Sequence, residues 1–287
     1  MLKRFYFLLS IFSAALLSPL FIFPLGLGYN LVNILFLVYP FIPFFSLLIL
    51  YRRNWSQLWK TLNFSKGKQT TLSILKSCLF WHALFYANLL FATTLGIYSW
   101  DFEQGGLSSW LSDRLNEFAN TNQVPIPLLP LTTKQMAQLG IAASLLAPFI
   151  LFPFFFIQEL VWRGWLLGQY EAQAIFSLLK INAIWGIWQL PLISLGLIYS
   201  DPLLGIPAIV ISASLQGTLL SMITQKTGSI FSATIARGII FASTPLTIIF
   251  HGAGSTTSPL VVGFYGISSW ILMGGAILWF ARREKRV

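Results

Sequence analysis

The sequence predicts an all-α protein, a polytopic transmembrane helix bundle with about eight spans. Composition is the first reason: 56% of the residues are hydrophobic and only 9% are charged, whereas soluble domains carry about 25% charged residues. The second reason is a series of apolar runs close to the about 20 residues that a helix needs to cross a bilayer. The third is the distribution of lysine and arginine between those runs. Together these features predict one membrane domain whose surface is largely covered by lipid.

Eight apolar runs are candidate spans, and they follow one another along nearly the whole chain. They lie near residues 5–25, 31–51, 72–99, 138–165, 179–199, 205–224, 229–250 and 259–281. The first run is longer than the about 7–15 apolar residues of a signal-peptide core, so we interpret it as a span. The third and fourth runs are long enough to tilt or to extend past the bilayer.

The basic residues indicate which ends of the spans face the cytoplasm. If eight spans alternate, one side of the membrane carries Lys3, Arg4, Arg52, Arg53, Lys60, Lys66, Lys68, Lys180, Lys226, Arg282, Arg283, Lys285 and Arg286. The opposite side carries Asp101, Glu103, Asp113, Glu117 and Asp201, with Arg114 and Lys134. Cytoplasmic loops are enriched in Lys and Arg. The pattern therefore predicts a multi-pass protein with both termini in the cytoplasm, in a bacterial-type plasma membrane or an organellar equivalent.

The same charges exclude several other classes of protein. A net charge of +10 could suit nucleic acid, but the basic residues lie between apolar runs and at the C-terminus. We therefore expect membrane lipids as partners and no nucleic acid. Cys78 is the single cysteine, so an internal disulfide is excluded, and no Cys/His cluster has the spacing of a zinc site. The sequence predicts no metal and no cofactor.

Two connections between the runs are long. Residues 52–70 combine basic charge with apolar residues at near-helical spacing, namely Trp55, Leu58, Trp59 and Leu62. This pattern predicts an interfacial helix on the anionic inner leaflet, with a solvated basic loop as the alternative. Residues 100–135 form the largest outer loop, where we expect a short amphipathic helix at 107–119. The proline-rich stretch 125–130 is expected to be extended.

Polar residues inside the apolar runs are few, and they mark candidate functional positions. They are Lys76, His82, Gln158, Glu159, Arg163, Gln189, Gln216 and Arg237. A charge at mid-bilayer costs about 2.5–3.5 kcal/mol on insertion scales, so such residues usually face the bundle interior. We expect Lys76 to reach the inner interface, His82 to be a packing residue, and Gln216 to form an interhelical hydrogen bond.

The remaining polar residues point to one shared site. Glu159 and Arg163 are four apart, so they lie on one helix face and can pair. At about 1.5 Å per residue, Glu159, Gln189 and Arg237 all lie roughly 10–15 Å from the cytoplasmic ends of their spans. Three helices therefore offer polar groups at one level of the predicted bundle.

Two of these segments resemble motifs of the CPBP family, which comprises CAAX-protease and bacteriocin-processing intramembrane proteins and is also called Abi or glutamic intramembrane proteases. The first family motif is two adjacent glutamates and an arginine, E-E-x-x-x-R. Gln158-Glu159-Leu160-Val161-Trp162-Arg163 occupies it here. The second motif is an aromatic residue and a histidine four apart, followed by Leu-Pro. Trp185 and Gln189 occupy those positions, and Leu190-Pro191 follows.

A third segment extends the resemblance to about residues 138–250. The family motif follows a Thr-Gly-Ser turn and carries histidine and asparagine four apart. Thr227-Gly228-Ser229 is intact, whereas Arg237 and Phe241 stand at the two later positions. The resemblance divides the single membrane domain into N-terminal spans (1–137), a CPBP-like core (138–250) and a C-terminal span with a basic tail (251–287).

The resemblance implies an intramembrane endopeptidase, but the residues that would perform the chemistry are changed. In the family the first glutamate and the histidines activate water, and the histidine/asparagine pair helps to hold the oxyanion. The changed positions are Gln158, Gln189, Arg237 and Phe241. None of these side chains can act as a proton acceptor near neutral pH. Glu159 and Arg163 remain, as the structural pair of the first motif.

These departures leave four readings of the site. The first is a catalytically impaired relative that binds or anchors a membrane protein or a peptide C-terminus. The second is an active protease in which Glu159 is the base and Arg237 stabilises the oxyanion. The third is an anion or lipid site or a transport pathway, which would favour a peptide C-terminus, a lipid phosphate or a small carboxylate. The fourth is a buried salt bridge of Glu159 with Arg163 and Arg237 that locks three helices together.

Overall fold

The structure, a computed structural model, confirms the predicted all-α fold. It describes residues 1–22, 38–62, 70–97, 133–170, 175–191, 202–243 and 263–284. Within these ranges every regular element is helical, and no strand occurs. The helices pack into a bundle around one large apolar core that contains the buried indoles of Trp81, Trp165 and Trp185.

The helices follow the predicted apolar runs. In chain order they are α1 (Leu2–Ile22), α2 (Ile42–Leu50), α3 (Trp55–Thr61), α4 (Thr70–Thr94), α5 (Thr133–Ile150), α6 (Phe152–Glu159), α7 (Leu167–Gln169), α8 (Ile175–Trp188), α9 (Pro202–Thr227), α10 (Ile230–Ser243) and α11 (Ile267–Glu284). A π-helix, Leu160–Leu166, joins α6 to α7. Short 3-10 helices at Tyr39–Phe41 and Gly263–Tyr265 precede α2 and α11.

Helix length distinguishes some of the predicted spans from others. Within the described ranges, Thr71–Thr94 in α4 and Leu203–Thr227 in α9 are each long and apolar enough to cross a membrane, and a bent pair from α5 to α7 adds a third if it counts as one span. Shorter apolar helices of 10–17 residues occur at Tyr39–Leu50, Ile175–Trp188, Ile230–Ser243 and Ile267–Arg282. Eight spans therefore remain a prediction, although each candidate run contains a helix.

The fourth predicted span is broken rather than continuous. Its two parts, Gly140–Ile150 and Phe152–Gln169, are bent by 58° with respect to each other. Pro148 lies inside α5 and Pro153 lies in the first turn of α6. A proline inside a helix removes one backbone donor and clashes with the carbonyl four residues earlier. The bend at Leu151 therefore has a direct cause in the sequence, and it redirects α6 toward the centre of the bundle.

The helix predicted between the second and third runs is present as α3, so the described part of this connection is not a loop. Its location at the inner membrane interface stays a prediction. The Asn54 side-chain oxygen accepts a hydrogen bond from the backbone N–H of Gln57 at 3.2 Å, which caps the helix. Leu58 is buried in the core, whereas Trp55 and Trp59 are exposed. The remainder of the connection (63–69), the outer-loop helix predicted at 107–119 and the stretch 125–130 lie outside the described residues.

Two glycines allow neighbouring helices of the bundle to approach closely. A Cβ built at Gly186 in α8 would lie 2.8 Å from the Cα of Val210 in α9. A Cβ built at Gly238 in α10 would lie 2.6 Å from the Cα of Pro148 in α5. Both distances are shorter than any contact that real Cβ atoms make, and both involve backbone atoms that cannot swing aside. These two glycines therefore set the spacing of α8 against α9 and of α10 against α5.

Gly238→Ala is expected to lower the free energy of unfolding by about 1–3 kcal/mol, because the methyl group must push α10 away from α5. The measurement is chemical or thermal unfolding of the purified chain in detergent. Gly274→Ala in α11 is the matched control, since nothing lies within 4 Å of a Cβ built there and alanine is the better helix former. Equal stability of the two variants would contradict the proposed close approach.

Candidate functional site

A buried ion pair begins the candidate site. The Nη1 of Arg163 donates to Oε1 of Glu159 at 3.1 Å, and the two residues are 2% and 1% exposed. Glu159 ends α6, and Arg163 lies in the π-helix that follows. Single π turns inside α-helices often occur at functional sites. The spacing of four residues predicted this pair, and the structure confirms the contact.

Asn182 on α8 holds the other side of the Arg163 guanidinium. The Nη2 of Arg163 donates to the Asn182 side-chain oxygen at 3.1 Å. The amide nitrogen of Asn182 donates to the Leu178 carbonyl at 2.8 Å and to the Ser221 hydroxyl at 3.3 Å. The amide orientation therefore presents its oxygen to the cation. Sequence reasoning missed Asn182, although its position seven residues before Gln189 places both on one helix face.

The Asn182 side chain fits because Gly217 of α9 has no side chain. A Cβ built at Gly217 would overlap the amide and Cβ of Asn182. Gly217 therefore provides the space in which Asn182 accepts from Arg163. Neither Gly217 nor Ser221 was singled out from the sequence, because small residues in an apolar helix carry no signal until the neighbouring helix is known.

Arg237 on α10 reaches the same region and is held by α9. Its Nη1 donates to the side-chain oxygen of Gln216 at 3.3 Å. The amide nitrogen of Gln216 donates to the Phe264 carbonyl at 3.0 Å. The interhelical hydrogen bond predicted for Gln216 is therefore confirmed, and it also orients a buried cation that is 8% exposed.

The indole of Trp185 joins the two arginines. The guanidinium carbons of Arg163 and Arg237 lie 4.7 Å and 4.3 Å from the centre of this one ring. A desolvated cation over an indole gains about 2 kcal/mol or more. The charge of Arg237 also acts on the Glu159 carboxylate. We call Glu159, Arg163, Trp185 and Arg237 the charged cluster.

Several polar atoms in and beside the charged cluster have no hydrogen-bond partner among the described residues. The donors are Gln158 Nε2, Trp162 Nε1, Arg163 Nε and Arg237 Nε, and the acceptor is Glu159 Oε2. Buried polar atoms are nearly always hydrogen bonded, to protein or to ordered water. The unpartnered donors thus outnumber the one unpartnered acceptor, and the site has spare capacity to bind an acceptor.

Two other predicted site residues, Gln189 and Phe241, make contacts of a different kind. Gln189 is buried, and its amide nitrogen donates to the Trp185 carbonyl of its own helix at 3.4 Å. Phe241 is 53% exposed, and its ring contacts Phe155 with centres 5.5 Å apart. Phe241 lies one turn further along α10 than Arg237, on the same side of the helix, but its side chain is half exposed whereas that of Arg237 is buried.

The structure places the two polar residues that were assigned structural roles, and the reach of Lys76 to the inner interface stays a prediction. Lys76 is exposed on α4, and a ring nitrogen of His82 bonds to the carbonyl of Cys78 at 2.9 Å. Within the described ranges no group of three or more His, Cys, Asp or Glu side chains could hold a metal ion.

An apolar cavity of about 730 Å³ lies next to the second motif, between α1 and α8. Its wall includes Trp188, Leu190 and Pro191 on the α8 side and Leu9 and Leu17 on α1. Trp188 also contacts the ring of Trp162, the neighbour of Arg163, with centres 5.7 Å apart. The cavity therefore adjoins the segment that carries the charged cluster.

The fold and the site define a helical membrane-protein architecture in which a charged pair, a shared indole and a second arginine meet inside the bundle. Residues 137–243 match the family model described as type II CAAX prenyl endopeptidase Rce1-like, so this part of the chain is CAAX-protease-like. The match runs from α5 to the end of α10 and confirms the resemblance read from the motifs. No curated protein and no solved structure is significantly similar to the chain.

Proposed function

We propose that the protein is a catalytically impaired relative of the CAAX proteases that binds or anchors a partner in the membrane. The single observation that supports this proposal is the state of Glu159, the one carboxylate at the motif positions. Its Oε1 is paired with Arg163 at 3.1 Å, so it lies in the position of a structural ion pair. The neighbouring positions hold Gln158, Gln189 and Arg237, which cannot activate water by removing a proton.

The placement in the membrane is part of the same proposal. The apolar helices and the family match indicate a membrane protein. We infer from the charge pattern that eight spans alternate and that both termini face the cytoplasm. The exposed Trp55 and Trp59 of α3, close to Arg52, Arg53 and Lys60, suit contact with an anionic lipid surface at that face. Membrane lipids, and a membrane protein or a peptide C-terminus, are the partners that this arrangement favours.

The test is a cleavage assay with the purified full chain in proteoliposomes. The substrates are a prenylated C-terminal peptide and a membrane-spanning reporter. We expect no cleavage by the natural chain. Cleavage that is lost in Glu159→Ala would overturn the proposal and identify a protease with a rearranged site, since Glu159 Oε2 has no partner among the described residues and could then serve as the base.

A restored variant tests whether the scaffold could still support the reaction. It carries Gln158→Glu, Gln189→His and Arg237→His, and a second version adds Phe241→Asn. Activity in either version, with none in the natural chain, would support a scaffold whose chemistry has been removed. Because Phe241 is exposed, we expect the two versions to behave alike, and the comparison is the matched control for that position.

A further inference from the structure

The charged cluster carries more positive than negative charge. Arg163 and Arg237 contribute two cations, and Glu159 contributes one carboxylate, all of them at least nine-tenths buried. Arginine stays protonated in proteins. A net buried positive charge is unfavourable unless an anion compensates it. One monovalent anion would balance the cluster, whereas a divalent one would reverse its sign.

The unpartnered atoms have the chemistry of an anion site. The Nε atoms of both Arg163 and Arg237 lack a hydrogen-bond partner among the described residues, although each side chain uses one or more Nη atoms. Their guanidiniums flank one ring, that of Trp185. Guanidinium groups bind carboxylates in geometries that use more than one N–H. The unpaired Nε atoms and the shared ring therefore support an anion site on geometric grounds, independently of the net charge of the cluster.

We propose that the charged cluster binds the carboxylate group of a ligand, with Arg237 as the principal contact. Arg237 is the better candidate because Arg163 is already engaged by Glu159 and Asn182. The proposal rests on the proposed function, since a bound carboxylate would occupy the position at which a protease would activate water. It names the ligand class that a non-catalytic site would hold.

The experiment measures the thermal stability of the purified full chain as sodium acetate replaces sodium chloride at constant ionic strength. A ligand that binds only the folded chain stabilises it by RT ln(1 + [L]/Kd), so the unfolding temperature rises with the logarithm of the ligand concentration once that concentration exceeds the dissociation constant. At ten times the dissociation constant we expect a rise of about 3–6 °C. Phosphate is expected to give a smaller rise, because its second charge would leave the cluster negative.

Two further probes separate a free carboxylate from a carboxylate carried on a larger molecule. N-acetylleucine presents a terminal carboxylate on an apolar body, and its amide is the matched neutral control. A rise with acetate alone supports a small free anion, and a rise with N-acetylleucine as well supports a terminal carboxylate. An equal rise with the amide would overturn the proposal, because the apolar body and not the anion would then be recognised.

Three variants locate the effect. Arg237→Gln should remove the acetate response. Arg237→Lys keeps the positive charge and serves if Arg237→Gln fails to fold, and it should weaken acetate binding at least about tenfold. Arg282→Gln, at an exposed position of α11, removes the same charge elsewhere and should leave the response unchanged. No acetate response in the natural chain would overturn the proposal, and water would then be the partner of the unpaired donors. An acetate response that persists in both Arg237 variants would also overturn it, because acetate would then bind at another site. The assay contains no cleavable substrate, so its outcome is separate from that of the cleavage test.

Discussion

Glu159→Ala is expected to lower the free energy of unfolding by about 3–5 kcal/mol, among the largest effects of any single substitution in the chain. The removal of one member of a buried ion pair leaves the other charge uncompensated. Arg163 would keep its hydrogen bond to Asn182 and would still share the Trp185 ring with Arg237, but its own carboxylate partner would be gone. The measurement is unfolding of the purified variant in detergent, compared with the natural chain.

A double substitution separates the charge effect from a packing effect. Glu159→Leu with Arg163→Met removes the pair and fills its volume, and such replacements are often neutral in stability. We therefore expect the double variant to be more stable than Glu159→Ala alone. Gln158→Ala is the matched control on the same turn, since it removes a buried neutral side chain. If Gln158→Ala were as destabilising as Glu159→Ala, the ion pair would not be the source of the effect.

Gly217→Ala is expected to cost about 2–4 kcal/mol, although it adds only one methyl group. The methyl would occupy the space of the Asn182 side chain, so it introduces overpacking and also removes the oxygen that Arg163 Nη2 contacts. Unfolding of the purified variant measures the effect. Gly275→Ala is the control, because a Cβ built there has nothing within 4 Å.

A double-mutant cycle tests the mechanism of the Gly217 effect. If Gly217→Ala destabilises the chain by displacing the Asn182 side chain, then Gly217→Ala should cost less stability in a chain that already carries Asn182→Ala. The double variant should therefore cost less than the two single variants together. Full additivity would mean that the two positions act independently, contrary to the contact between them.

The sequence predicted the helices and the first contact of the site for local reasons. Apolar runs specify helices because each run must satisfy its own backbone hydrogen bonds in lipid, and α4 and α9 lie where such runs predict them. The Glu159–Arg163 pair follows from a spacing of four along one helix. The break at Leu151 was not predicted, although Pro148 and Pro153 were visible signals.

The contacts of the site that join two helices could not be predicted from the sequence. Asn182 becomes a contact of Arg163 because Gly217 lets α8 and α9 approach, and no feature within either helix reports the other. The exposure of Phe241 likewise depends on how α10 packs against its neighbours, and its place in the motif does not report it.

Gln216, Asn182 and Gln189 each donate one hydrogen bond to a main-chain carbonyl oxygen, those of Phe264, Leu178 and Trp185 respectively. A substitution replaces the side chain, but the main-chain carbonyl remains whichever residue stands at the position. The polar residues inside the bundle therefore have acceptors that sequence drift does not remove. Over evolutionary time such a frame can exchange side chains at the motif positions, one at a time, while the helices keep their arrangement. Relatives of this chain should accordingly vary more at positions 158, 189 and 237 than at the glycines that hold the helices together.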